Sequence, residues 1–553
     1  MILGISDLQH DTAAVLLGPG GLISAIEEEK LNRVDAGGGL PQSAIEHCLR
    51  LGGVSLKELS GIAMAFDPVA LARKRNEAGN ESPRQSHRDS QGFGELLACI
   101  TPGVRIQNTP ALSFDHHLCH AASAFFPSPF DSALVLTLDH KGGEFSGSIC
   151  VGRGNELKTL HEIRFPNSLG WFYSQVTALL GYLPGRDEHK VQWLSKEGTP
   201  DFLGIFREVF VRDANGLPVL NIDRWLNGDA NPGRFPRKLA NTLQIQDLNP
   251  PRESRLGAQI ARSAQDFLEG CVIDLAEGFR LKTGEKSLCV AGGVFLNVLL
   301  VKALESRSGF DSVFVQPVAG NPGTALGAAY LAAQPVWGKV ERQPIEQMDW
   351  GPEYSEEQIK AVLDNCKTIY RYLPGEKQIV EETLQCLQRD KMVAWFQGRT
   401  EFGHRALGNR SILASPFSPY VKENLNRYVK HREDFHPFAL SVPAEDAGTI
   451  FECTENCRFM ASVGKLKAGQ PELERFCFNG RAVRVHRVDQ KVNPRLWSLL
   501  RKFGESSPAP VLLNTSFNLF GEPLVCDPRD AVRSFFCSGI DALAMGNFLV
   551  VKP

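Results

Sequence analysis

The sequence predicts an α/β protein of at least two domains, on three observations. At 553 residues the chain exceeds what one hydrophobic core usually organises. Two apolar runs, 287–291 and 313–318, each end in glycine turns that open onto helical patterns, as the strand–glycine–helix junctions of βα units do. A second βα series begins at Val393. Hydrophobic residues at 43%, charged residues at 22% and 51 glycines fit a soluble globular protein rich in tight turns.

Taken in order, the runs 2–6, 13–17 and 22–26 read as a β-meander whose first loop carries His10 and Asp11. Residues 76–93 are polar and read as a mobile insertion or a substrate-facing loop. The segment 115–120, D-H-H-L-C-H, precedes a helix expected over 118–126. Spacing of four residues puts His116 and His120 on one face of it, with His117 elsewhere. The buried strand expected over 132–138 ends at Asp139, and 139–146 turns it back into 147–152. Two imidazoles plus a carboxylate at a strand end suit iron, zinc or manganese. By spacing alone an ordinary capping or core histidine pair is the better reading, and only the rest of the chain reverses that order.

Residues 254–280 show helical periodicity through Ile260, Ala264, Phe267, Leu268 and Cys271. The strand 287–291 then runs into Gly292, Gly293 and Asn297, where backbone amides can approach a phosphate or nucleoside. The run 313–318 repeats the pattern through Asn321 and Gly323 before a small-residue helix over 324–333. Paired glycines commonly serve helix packing; two such crossovers together favour a nucleotide. Composition turns polar over 343–355, which divides the chain into 1–350 and 351–553, with the last strands expected to pack back on the first domain.

In the second half Arg399, Arg405 and Arg410 stand among glycine turns, Lys430 and Arg432 follow, and Arg484 and Arg487 precede Asn514 and Ser516. Guanidinium groups and a lysine near such turns suit phosphate oxygens. The formal charge of −3 gives no global field for nucleic acid or an anionic membrane. Thirteen scattered cysteines without CxxC pairs point to a reducing compartment. With no signal-peptide pattern and no membrane-spanning apolar run, a cytoplasmic location is expected.

At this point the motifs resemble a known family. They are H-D-T-A-A (10–14), H-H-L-C-H-A-A-S-A-F (116–125), D-E-H-K-V (187–191), A-G-G-V-F-L-N (291–297) and G-T-A-L-G-A-A (323–329). In the second half they continue with G-R-T-E-F-G-H-R-A-L-G-N-R-S-I-L-A (398–414), V-K-H-R-E-D-F-H-P-F-A (429–439) and L-N-T-S-F-N (513–518). Across essentially the whole chain the sequence resembles the NodU/CmcH-type O-carbamoyltransferases. The resemblance implies an actin/heat-shock-ATPase/sugar-kinase-like (ASKHA) domain followed by a YrdC-like α/β domain. It implies ATP, Mg2+ and a divalent transition metal, Fe2+ favoured, as cofactors. Carbamoyl phosphate and a hydroxylated small-molecule acceptor, such as an antibiotic or other natural product, are the implied partners, and a homodimer is compatible with it.

The implied reaction has two steps. Carbamoyl phosphate and ATP give carbamoyl adenylate and pyrophosphate in the second domain, and the carbamoyl group then passes to an acceptor hydroxyl in the first. Carried over by motif, Arg405, Lys430, Arg432, His436, Arg484, Asn514 and Ser516 hold carbamoyl phosphate and the adenylate. His116, His120, Asp139 and Asn321 form the metal site, Gly292, Gly293, Asn297 and Gly323 face a nucleotide in the first domain, and His10 with Asp11 stands near the acceptor hydroxyl, whose proton an imidazole can accept.

The chain departs from the family pattern at Asn321, where Asp is usual, and at His140-Lys141-Gly142-Gly143, where Gly-x-Gly follows Asp139. Asp35 replaces a basic residue, His436 an arginine and Leu440 a proline. These departures frame a competing expectation, a non-catalytic paralogue that binds a nucleotide or metabolite or scaffolds a partner. A kinase or ATPase of the same N-terminal fold, forming ADP, leaves the second domain without a purpose. Acceptor contacts are expected in 76–93 and 202–236.

Overall fold

The computed structural model describes residues 1–35, 37–65, 105–106, 109–226, 235–243, 245, 254–519 and 521–552. The loop 76–93 lies outside these residues. The described chain divides into two compact units. One comprises 1–28 and 36–345, and the other comprises 29–35 and 346–553. The switch falls within the polar stretch 343–355, while residues 29–35 join the second unit despite their early place in the sequence.

The first unit holds two sheets built to one plan. In the first, β1 (Ile2–Ile5), β2 (Ala13–Gly18) and β3 (Gly21–Glu27) form the expected antiparallel meander. Then β4 (Gly61–Met64) adds parallel to β1 and β6 (Thr109–Ser113) parallel to β4, with the two-residue β5 (Arg105–Ile106) at the edge. In the second sheet β7 (Ser132–Gly142), β8 (Phe145–Arg153) and β9 (Glu156–Arg164) form another meander. To β7 are added β12 (Ser287–Ala291) and then β13 (Ser312–Val315), both in parallel. A small hairpin, β10 (Phe210–Arg212) and β11 (Pro218–Leu220), stands apart.

The strand β7 is longer than its apolar run predicts. Its ladder with β8 breaks between Leu138 and Gly142, so Asp139 sits at an irregularity inside the strand, not at its end, and the turn closes only at Gly143 and Glu144. Similarly β13 ends at Val315 and not at Val318. Residues 202–236, expected as an acceptor loop, contain β10, β11 and the short helices Leu203–Phe206 and Ile222–Leu226 among those described.

Helices lie where periodicity places them. Ser254 caps Arg255–Thr283 by accepting from Gly257, and its Ile260, Ala264, Phe267 and Leu268 are buried, whereas Cys271 is only half-buried. The helix Gly323–Trp337 packs on β1 and on the helix His116–Phe125, and small residues make the approach possible. A Cβ on Gly4 would lie 2.1 Å from Ala325 O, and one on Gly327 only 1.8 Å from Cys119 O. No helix of the described residues is long and apolar enough to cross a membrane, and their cysteines are all free.

The second unit is organised on a ten-stranded sheet among the described residues. In chain order its strands are β14 (Arg371–Tyr372), β15 (Val393–Phe396), β16 (Arg410–Ala414), β17 (Ala439–Pro443), β18 (Phe451–Glu452), β19 (Gly464–Leu466), β20 (Ala482–Val488), β21 (Leu512–Ser516), β22 (Ala542–Met545) and β23 (Phe548–Val551). Their spatial order is β14-β23-β22-β15-β16-β21-β17-β20-β19-β18. Alternation on the central strands buries both faces. Ala394 and Phe396 enter one apolar cluster, and Val393 and Trp395 enter another. The last two strands pair inside this sheet, β22 parallel to β15 and β23 antiparallel to β22, in contrast to the expected packing on the first domain. Uninterrupted apolar runs let them add to an internal ladder.

Candidate functional site

Asp115 starts the helix His116–Phe125 by accepting from Leu118 N at 2.9 Å, so helical geometry begins at His116, two residues before the expected start. That places His116 and His120 one turn apart, facing Asp139 across the irregularity in β7. One ligand atom from each of the three lies within 4.8 Å of the others. His120 Nε2 is 3.1 Å and His116 Nε2 3.5 Å from Asp139 Oδ2. His117 turns away to Thr137 Oγ1 at 3.4 Å.

Glycines make room for this arrangement. A Cβ on Gly142 would fall 2.2 Å from His116 Cδ2, and Cβ atoms on Gly170 and Gly293 would fall 2.6 and 3.0 Å from Asp139 atoms. Gly292, at φ 101°, admits Leu138 O and spends its N–H on Ala319 O, while the Gly323 N–H goes to Gly320 O. Asn297 caps the helix Val298–Arg307 and exchanges amide hydrogen bonds with Gln265 at 2.8 and 3.1 Å. The glycine junctions expected to face a nucleotide therefore serve the approach of strands to Asp139 and the start of a helix.

Asp7, which sequence reasoning passed over, completes the cluster. Its Oδ2 lies 3.0 Å from His116 Nδ1, directing the other ring nitrogen toward Asp139. Gln9 donates to both Asp7 oxygens. Asn321 donates its amide to the carbonyls of Asp7, at 2.9 Å, and of His10, and so braces the loop that carries them. Its Oδ1 is buried without a partner.

Burial works against charge here, and hydrogen bonds outweigh it at Asp7, Asp139 and His116 only. Asp139 is held well below the ordinary carboxylate range by His116 and His120, and Asp7 is lowered by His116. Burial likewise opposes protonation of His116, yet Asp139 and Asp7 raise it to about 10, whereas burial leaves His120 lowered and His117 at about 3. His120 Nδ1 and His116 Nε2 lack hydrogen-bond partners. Two imidazole nitrogens and a carboxylate, converging around an orphaned ring nitrogen and backed by a second carboxylate, fit a divalent transition metal.

His10 is largely exposed, its Nδ1 3.0 Å from Asp11 Oδ2. The Asp11 hydrogen bond raises its pKa, and the charges of Asp139 and Asp7 add to that shift. Asp11 itself occupies the left-handed region at φ 47°.

The second unit gathers cations. Arg405 stands on the loop between β15 and β16, Lys430 ends a π-helical turn (Leu425–Lys430), Arg432 follows it and Arg484 lies on β20. Burial, then the neighbouring charge of Arg484, presses Arg405 far down and Arg432 to about 9. Burial alone takes Arg484 to about 10. Lys430 is likewise pressed well below its ordinary value by burial and then by Arg432. A guanidinium does not shed its proton in this range, so the direction records how poorly the cluster is compensated. Glu433, near Arg432, is the carboxylate that relieves it.

Lys430 Nζ holds Ser516 Oγ at 3.0 Å and Asn518 Oδ1 at 2.6 Å. Arg432 donates to Asn426 and lies over the Phe438 ring at 4.6 Å, while Arg405 makes no hydrogen bond among the described residues. Asn514 is committed to a buried network with Ala406 O, Ser441 and His486, the last held at about 3 by burial. Buried His436 stands 3.5 Å from Glu433.

Three arginines that looked similar in sequence are structural. Arg410 is fully buried and donates to four backbone carbonyls, from Gln397, Asn409, Gly398 and Pro352. Arg399 holds Gly351 and Trp350, and Arg487 pairs with Glu455. Two residues of the resemblance motifs take roles that spacing did not reveal. Glu401 Oε1 accepts from Leu407, Asn409 and Arg410 and shapes the Arg405 loop, and Asn518 receives Lys430.

Comparison with known proteins assigns the family. The carbamoyltransferase N-terminus family matches residues 1–330, and the carbamoyltransferase C-terminus family matches residues 384–552. An uncharacterised protein of Synechocystis is 32% identical, over 100% of this chain and 96% of its own length. The nodulation protein NolNO of Sinorhizobium fredii is 32% identical, over 98% and 79%. The 3'-hydroxymethylcephem-O-carbamoyltransferase of Amycolatopsis lactamdurans is 31% identical, over 47% and 48%. The chain belongs to the NodU/CmcH-type carbamoyltransferase family and is a transferase.

Proposed function

We propose that this carbamoyltransferase forms carbamoyl adenylate from carbamoyl phosphate and ATP in its second unit. In its first unit it passes the carbamoyl group to a hydroxyl of a small-molecule natural product. The second unit is read as YrdC-like and the first as ASKHA-like; the repeated meander-plus-parallel-strands plan of the two sheets in the first unit supports the ASKHA-like reading. One observation carries the proposal most: four cations, Arg405, Lys430, Arg432 and Arg484, are gathered in buried positions of the second unit, with Lys430 Nζ set on Ser516 and Asn518 and Arg432 on Asn426. Such a cluster is stabilised by a polyanion, and ATP with carbamoyl phosphate supplies one.

In the first step the balance is carbamoyl phosphate, water and ATP giving carbamoyl adenylate, orthophosphate and pyrophosphate. Arg405 and Arg484 neutralise charge as pyrophosphate leaves the α-phosphorus, and Lys430 with Ser516 fixes the departing oxygens. In the second step the acceptor oxygen bonds to the carbamoyl carbon, AMP leaves, and the hydroxyl proton passes to His10 Nε2. Asp11 supports that role by holding Nδ1.

His116, His120 and Asp139 would hold a divalent metal, Fe2+ favoured, with Asn321 Oδ1 as a neutral fourth donor. When bound, the metal supplies a Lewis acid for the carbamoyl carbonyl or the leaving phosphate. Asp7 orients His116 toward it.

Incubation with ATP and carbamoyl phosphate, with and without hydroxylated acceptors, tests the reading. AMP and pyrophosphate are expected. ADP instead would redirect it to a kinase, and nucleotide binding without any turnover in metal-replete protein would leave a binding paralogue.

A further inference from the structure

Residues 29–35 belong to the second unit although the chain around them builds the first. Two side chains account for this. Lys30 is 1% exposed, and its Nζ donates to Glu401 O at 2.7 Å and Gly403 O at 2.6 Å, the first of these 371 positions along the chain. Burying an ammonium is costly unless it secures good acceptors. The acceptors it takes are carbonyls on either side of Phe402, on the loop that presents Arg405.

Arg33 serves a second loop. Its guanidinium donates to Leu524 O at 2.6 Å and Pro523 O at 2.8 Å, and lies 3.4 Å from Glu522 and 3.5 Å from Asp530. The same loop anchors Asn518, whose Nδ2 donates to Glu522 O at 2.8 Å while its Oδ1 receives Lys430 at 2.6 Å. Arg33 holds a backbone φ of 63°, a left-handed conformation that a non-glycine residue keeps only where its surroundings enforce it.

We infer that Lys30 and Arg33 are positioning residues for the anion site of the second unit. Lys30 fixes the Arg405 loop, Arg33 fixes the loop behind Ser516, Asn518 and Lys430, and together they hold the cations at the separation a polyphosphate requires. The inference rests on the anion-site reading proposed above and adds to it the segment that sets the geometry. Cations that repel one another separate unless the backbone beneath them is tied, and Lys30 and Arg33 tie it from outside the sheet.

Calorimetric titration of inorganic pyrophosphate into the full-length protein tests it. Wild type should bind, and Lys30→Met should bind about tenfold more weakly or worse. Its metal uptake should be unchanged, and Lys30→Arg should restore affinity. Wild-type affinity in Lys30→Met overturns the inference alone, whereas failure of wild type to bind pyrophosphate overturns the anion-site reading and this inference with it. Should Lys30→Met not fold, Arg33→Gln, at a side chain 18% exposed, poses the question from the other loop. Weaker pyrophosphate binding there supports positioning, and unchanged binding sinks it.

Discussion

The site in the first unit and the site in the second are electrostatic opposites, and they are incomplete in different ways. Around His116 and His120 every charge has a partner within the protein. Asp139 lies between two imidazoles and Asp7 backs one of them. Around Arg405, Lys430, Arg432 and Arg484 like charges face one another with Glu433 as relief. The first arrangement balances its charges within the protein. The second calls for an anion from outside, and its loops are tied by Lys30, Glu401 and Arg410.

Separate disabling of the two sites is the strongest way to break that comparison. Arg484→Ala should lower ATP–pyrophosphate exchange in the presence of carbamoyl phosphate by about 100- to 1,000-fold while leaving metal content intact. His120→Ala should abolish stoichiometric metal binding yet leave exchange near wild type. Exchange assays and elemental analysis on both variants decide it, and loss of both properties in either variant would show that the sites are not separable.

A smaller effect sharpens the account of the first site. Asp7→Ala should weaken metal binding about 10- to 100-fold in competition with a chromophoric chelator, because His116 loses the partner that orients it. Asp7→Asn keeps an acceptor for Nδ1–H and should fall between.

The smallest effect separates proton from metal. Burial opposes the His116 proton, but Asp139 and Asp7 raise its pKa to about 10, above its unfolded value. The stability it contributes is therefore fully present below about pH 6.5 and is lost as pH rises through about 10. Chelator-treated protein should lose urea resistance across that window, and Asp7→Asn less so. Metal-loaded protein should show a flat profile, since a ligating nitrogen carries no proton.

Much of this was legible in the chain. The meander of β1 to β3, the capped helix Arg255–Thr283 and β12 follow from periodicity and caps, and these are local effects. The His116, His120 and Asp139 grouping was readable only once the resemblance motifs joined the four-residue spacing, which alone favoured an ordinary histidine pair. Arg405 and Arg410, five positions apart in one motif, were not separable. One faces the cation cluster and the other is fully buried on carbonyls, a difference set by the loop that Glu401 folds. Gly292 and Gly323 read as phosphate-facing turns, but their N–H groups are spent on neighbouring carbonyls that no sequence pattern reveals.

The sequence by itself determined the family, the α/β class and the donor types at each site, because these depend on residue identity and short-range periodicity. Tertiary structure alone decided that Asp7 stands behind His116, that Asn321 braces the Asp7–His10 loop, and that Lys30 and Arg33 serve loops more than three hundred positions away. Each depends on a contact between distant segments, where a side chain's role is set by what the fold brings to it.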